Sequence, residues 1–221
     1  MQEFEINKMA FKITDIENRE VELKSLKGIW GELREYGNKN NVMSNEKYLI
    51  VPRVVISPND KLSYTITSIG KGVFDCMQKV EHITLPNCLK NLEWGFWNCR
   101  NLRDIEIQDN EVENPNAQIC SIQGVLFNLK QTKLLAFPNM NCQDYSIPEG
   151  VIEIAKFAFK DCNNISILHL PSSLKKIGIN AFYRCNNLKK IYTKVNPILI
   201  HNEGLTGQYG KVNPEWVLEK D

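Results

Sequence analysis

Imidazole, thiol and paired carboxylates carry most neutral-pH protein chemistry, and in this chain they fall at related positions. The histidines are His82, His169 and His201, and Asp104 and Glu106 stand about one sequence repeat beyond His82. On neighbouring strands these groups would lie roughly 5 Å apart, close enough to gather a cation such as zinc. No string with ligand spacing accompanies them, so no metal or other cofactor is expected. The Asp104 and Glu106 carboxylates are also the residue type of general acid–base catalysis, but a flat sheet face gives no pocket that excludes water. No catalytic residue is assigned.

Seven cysteines, an odd number, cannot all pair internally. Cys99, Cys162 and Cys185 share one repeat position beside an apolar phenylalanine, where a thiol acts as a small, readily buried group. Stacked thiols are the favoured reading, and a disulfide between Cys162 and Cys185 is the alternative, which an oxidising exterior would favour. Nucleophilic catalysis is disfavoured, since no histidine shares the cysteine position and a buried thiol is unreactive. Gly70 and Gly178 read as turn residues, because neither GxGxxG nor GxxxxGK occurs. Trp94 and Trp97 flank Phe96, so at least one of them faces outward as a contact for sugar or protein, with partial burial under an insertion as the favoured reading.

The elements that position these residues are set by a repeat. Ile154, Ala158, Phe159, Cys162, Ile165 and Leu168 recur as Ile177, Ala181, Phe182, Cys185, Leu188 and Ile191, an offset of 23 residues (177 − 154). The frame reappears as Ile69, Val73, Phe74, Val80, Ile83 and Leu85, with Met77 in the cysteine place, and again as Leu92, Phe96, Cys99, Leu102 and Ile105. One such unit cannot bury its apolar side alone, so units stack into a solenoid. Each should give one short strand, ended by a proline such as Pro86 or Pro171, and the strands should form a parallel sheet. Alternation turns Ile83, Ile105, Leu168 and Ile191 inward. Two outward columns follow: His82, Asp104, Ile167 and Lys190, and beside them Thr84, Glu106, His169 and Tyr192. These eight are the candidate binding residues.

Lysine plus arginine number 27 against 26 acidic residues, so no net field holds a polyanion and nucleic acid is not an expected partner. No stretch approaches the roughly 20 apolar residues of a membrane-crossing helix. The N-terminal residues lack the pattern of an export signal, which fits either a cytosolic protein or a mature fragment. Residues 1–60 read as a β-rich cap or lead-in with a polar loop around Gly37 to Asn41. Residues 61–193 read as the solenoid, with a hairpin insertion at about 108–145 that begins in the polar run QDNEVENPN. Residues 194–221 read as a C-terminal cap or tail.

The pattern IGxxAFxxCxxLxxIxLP, in its copies Ile154 to Pro171 and Ile177 to Thr193, resembles the BspA-type leucine-rich repeat. Ser121 to Phe127, Thr132 to Pro138 and Tyr145 to Val151 resemble the family's hairpin insertion, so the likeness spans residues 64–193. Phe11 to Asp15 and Tyr48 to Pro52 are similar to the strand-rich start of such proteins. Ala155 in place of glycine, and Glu93 and Met77 in two copies, depart from the pattern. The resemblance implies a leucine-rich repeat solenoid, mostly β with short turns, in a secreted or surface-anchored bacterial protein. It implies non-enzymatic adhesion or binding, with host or cell-surface protein or glycan as partner. A spacer without its own ligand is the second expectation. An enzyme built around His82 and Glu106 is the third.

Overall fold

The computed structural model describes residues 2–6, 9–26, 47–92, 96–108, 117–197, 200–202 and 213–219. Among them the regular structure is all strand. The chain opens with β1 (Glu3–Ile6), β2 (Met9–Asp15) and β3 (Glu20–Leu26), an antiparallel meander. Its alternation places Phe11, Ile13, Val21 and Leu23 inside. Then come β4 (Tyr48–Ile50), β5 (Val54–Ile56) and β6 (Ser63–Ile69); β6 pairs antiparallel with β5 and parallel with β3. The meander is thereby tied to the first repeat. The loop expected around Gly37 to Asn41 and most of the run QDNEVENPN lie outside the described residues, as do Glu93 and Trp94.

From β7 (His82–Leu85) onward the chain is a β-solenoid of parallel ladders. β8 (Asn91–Leu92) and β9 (Asp104–Ile107) follow, then the antiparallel hairpin of β10 (Ile119–Ile122) and β11 (Val125–Asn128). β12 (Lys133–Ala136), β13 (Asp144–Ser146), β14 (Glu153–Ile154), β15 (Ile167–Leu170), β16 (Lys176–Ile177), β17 (Lys190–Thr193), β18 (His201–Asn202) and β19 (Glu215–Leu218) complete the chain. The expectation of one strand per repeat is corrected: each repeat gives two. One ladder runs β13-β15-β17-β19, with β4-β7-β9 as its counterpart in the first half, and the other runs β12-β14-β16-β18. The second strands are two residues long in β8, β14, β16 and β18, too short to alternate visibly, and follow from the backbone of one repeat lying in register on the next.

Between ladders sits the apolar spine. Ile83, Ile105, Leu168 and Ile191 are fully buried. Phe74 stacks on Phe96 at 5.3 Å between ring centroids and Phe137 on Phe159 at 4.7 Å, and Phe159 meets Phe182 at 5.3 Å with the rings tilted by 37°. Phe137 is a rung that the repeat pattern did not name. All seven cysteines are free thiols. Three of them donate to the phenylalanine carbonyl of the preceding repeat: Cys99 to Phe74 (2.9 Å), Cys162 to Phe137 (3.3 Å) and Cys185 to Phe159 (2.7 Å). Met77, fully buried, fills the same slot in the first repeat.

Candidate binding face

The outward side of the parallel sheets is built by register. In the first half His82 pairs with Asp104 and Thr84 with Glu106; in the second, Ile167 pairs with Lys190 and His169 with Tyr192. Each expected column is thus two neighbouring pairs carried by separate sheets, because the β10-β11 hairpin intervenes. It packs on β9: Gly124 O accepts from Ile105 N–H at 3.0 Å, and the Ser121 hydroxyl donates to Ile105 O at 2.6 Å.

Contacts between neighbouring strands fix the side chains. The His82 ring stacks on Tyr48, centroids 4.6 Å apart and planes 10° from parallel, and its Nδ1 lies 2.6 Å from Asp104 Oδ2. The His169 ring stacks on Tyr192 at 4.8 Å and 12°, with Nε2 3.0 Å from Asp144 Oδ1 and Nδ1 3.6 Å from Glu219 Oε1. Each half therefore presents one imidazole held between an aromatic ring and a carboxylate. Tyr48 and Ile50 remain 66% and 61% exposed, so the first cluster offers apolar area to a partner. Lys190 lies 3.7 Å from Glu215, and Glu106 is exposed. Below β7, Lys47 bonds Glu81 at 2.7 Å and Arg103 adds its charge at 3.3 Å; the Lys47 bond chiefly holds the Glu81 carboxyl below its usual range.

Tyr48, Asp144 and Glu219 belong to this face and were not singled out from sequence. The signal for Asp144 is the frame itself, since Asp144-Tyr145-Ser146 precedes Ile147-Pro148 as Ile167-Leu168-His169 precedes Leu170-Pro171. Tyr48 carries the same signal, since Tyr48-Leu49-Ile50 precedes Val51-Pro52 as His82-Ile83-Thr84 precedes Leu85-Pro86, whereas nothing periodic points to Glu219. Of the remaining residues named for chemistry, Trp97 is half-buried. Among the described residues no group of three His, Cys, Asp or Glu side chains is placed to hold a metal ion. Among the described residues no helix is long and apolar enough to cross a membrane.

Similarity to known proteins follows this geometry. The family model described as "BspA type Leucine rich repeat region" matches residues 58–134 and 130–205, with six copies. No curated protein matches. A leucine-rich repeat protein from Bacteroides ovatus is similar in structure at a TM-score of 0.50 and 23% identity, over 86% of this chain and 46% of that one. The pneumococcal vaccine antigen PcpA gives 0.43 and 16%, over 86% and 72%. A leucine rich cell surface protein from Faecalibacterium prausnitzii gives 0.36 and 14%, over 86% and 76%. The paired ladders, the phenylalanine spine and a family match over more than half the sequence agree, and the chain belongs to the BspA-type leucine-rich repeat family.

Proposed function

We propose that the chain is a non-enzymatic binding module of a secreted or surface-anchored bacterial protein, contacting a cell-surface protein or glycan through the outward side of its parallel sheets. The family's association with binding and scaffold roles supports this reading. The observation that carries it is the pair of ordered clusters, Tyr48–His82–Asp104 and Asp144–His169–Tyr192. Their rings are already stacked and their imidazoles already partnered. Such side chains lose little rotamer freedom on contact, which is how rigid aromatic anchors convert area into affinity. Thr84, Glu106, Ile167 and Lys190 complete the contact surface.

The test is a surface-binding titration of the intact chain against a panel of extracellular-matrix proteins and glycans, with Tyr48→Ala/His82→Ala and His169→Ala/Tyr192→Ala double variants beside it. At least one panel member should bind saturably and lose tenfold or more in affinity with one of the double variants, while the far-ultraviolet circular dichroism stays unchanged. Binding that ignores both variants would refute the face, and no binding across the panel would favour the spacer.

A further inference from the structure

A second feature lies away from the sheet face. Between the repeat of Phe96 and that of Phe137 the molecule holds a cleft of about 520 Å³, within the usual range for small-molecule sites. Phe96, Leu135, Phe137, Ala155 and Ala158 supply its apolar surface, and Trp97 and Phe157 its aromatic edge. Among the described residues the ring stack breaks at this point: Phe74 covers Phe96 and Phe137 covers Phe159, and the cleft lies where the next rung would be.

The polar groups around it are mostly cationic. Lys71, Lys133, Lys156 and Lys160 line the cleft against one carboxylate, Asp75. Lys133 also reaches Glu153, at 3.0 Å. Lys160 is the informative one. Its ammonium sits over the rings of Trp97 (4.5 Å), Phe157 (4.9 Å) and Tyr183 (5.5 Å), and no carboxylate of the described residues lies within ion-pair distance of it. Burial pushes its pKa down, against the opposing pull of the Asp161 and Asp75 charges. A half-buried cation whose nearest neighbours are ring faces gains from an anion brought into the same space. The Trp97 ring lines the cleft, whereas its indole N–H is shielded from solvent and so from the open space.

We propose that this cleft is a binding site for a small amphipathic anion, a flat apolar body seated between Phe96 and Phe137 whose carboxylate or sulfonate meets Lys160. The site is independent of the sheet face, since neither imidazole cluster contributes to it. The probe is 1-anilinonaphthalene-8-sulfonate, titrated by fluorescence into the intact chain, with the uncharged N-phenyl-1-naphthylamine as the same apolar body without the charge. The expected result is one saturable sulfonate site, at least tenfold tighter than the neutral compound. Filling the cleft with Ala155→Phe should abolish it, and Lys160→Met, which removes the charge but keeps a half-buried stem of similar length outside the core clusters, should weaken it about tenfold. Equal affinity for the two compounds, binding indifferent to Lys160→Met, or the lack of any saturable site would overturn the proposal. The face variants Tyr48→Ala/His82→Ala should leave this titration unchanged, so failure of either reading is seen separately.

Discussion

Asp161 shows how a single position carries three constraints. It stands just before the buried Cys162 in the left-handed region, at φ 62°, where Asp and Asn are the least strained residues after glycine. It is 8% exposed, and its carboxylate accepts the Asn98 N–H at 3.3 Å and faces Arg184 Nε at 3.3 Å. Burial outweighs these partners and raises its pKa above the usual value. The sign follows directly. A carboxyl whose folded pKa exceeds its unfolded one makes the folded state bind the extra proton, so its ionisation costs stability as pH rises through that window and the cost disappears as pH falls. Asp161→Asn removes the titration but keeps the left-handed conformer and an acceptor. Its stability relative to the parent should therefore be most favourable near neutral pH and should decline toward pH 4, read by urea denaturation at several pH values. A difference independent of pH would show that Asp161 does not titrate abnormally. The thiol beside it was legible as a buried small group; its bond to Phe137 O was not, because that acceptor belongs to another repeat. Burial pushes the equivalent Cys185 thiol up to about 12, in keeping with a packing role.

At the scale of the repeat, two left-handed residues bracket the phenylalanine turns of Phe74, Phe159 and Phe182, and among the described residues one follows Phe96. The first is Gly72, Phe157 or Asn180, and the second is Cys76, Asn98, Asp161 or Arg184, with φ between 54° and 71°. Phenylalanine and arginine give no compositional hint of such a conformation, so this device was invisible in the sequence, whereas the apolar frame around it was plain. Gly178 is dictated differently. A Cβ there would stand 2.7 Å from Lys156 N and 3.0 Å from Ala155 C, because the repeats stack backbone to backbone through the Gly178 N–H bond to Ile154 O (2.9 Å). Ala155 occupies the equivalent place one repeat earlier and makes the same bond to Leu134 O (2.9 Å), yet it lines the open cleft. The departure from glycine at Ala155 thus coincides with missing neighbour atoms. Gly178→Ala should cost about 1–3 kcal/mol, the range for forcing one methyl into a packed interior, and Ala155→Gly no more than about 1 kcal/mol. Thermal melts of both variants check this, and equal losses would contradict it.

At the scale of the whole molecule, the apolar side chains of the described residues form two clusters, one from Phe4 to Ala136 and one from Val125 to Ile200, and β11 belongs to both. Leu126 packs into the first cluster, while its neighbours Val125 and Phe127 pack into the second. All three are fully buried, as alternation requires of a strand sandwiched between two cores. The likeness of Ser121 to Phe127 to the family's hairpin insertion made the hairpin legible, but a strand buried on both sides reads in sequence only as a short apolar run, so its role as the join was not. Among the described residues the polar side-chain contacts across the join include Asn139 Nδ2 to Arg100 O at 2.8 Å, Asn98 N–H to Asp161, and the hairpin bonds to Ile105. Solenoid stability is a sum of unit terms and neighbour-interface terms, so weakening one interface should divide the molecule where weakening a unit should not. Leu126→Ala removes about 2–5 kcal/mol of packing from the first cluster at the join. It should turn one calorimetric transition into two, with the repeats from Glu153 to Thr193 melting at nearly the parent temperature. Phe182→Ala, of comparable cost but inside the second cluster, should depress and broaden the C-terminal melt without separating the halves. If Leu126→Ala lowers a single transition intact, with calorimetric and van't Hoff enthalpies still equal, the two clusters are one cooperative unit and β11 is merely another rung.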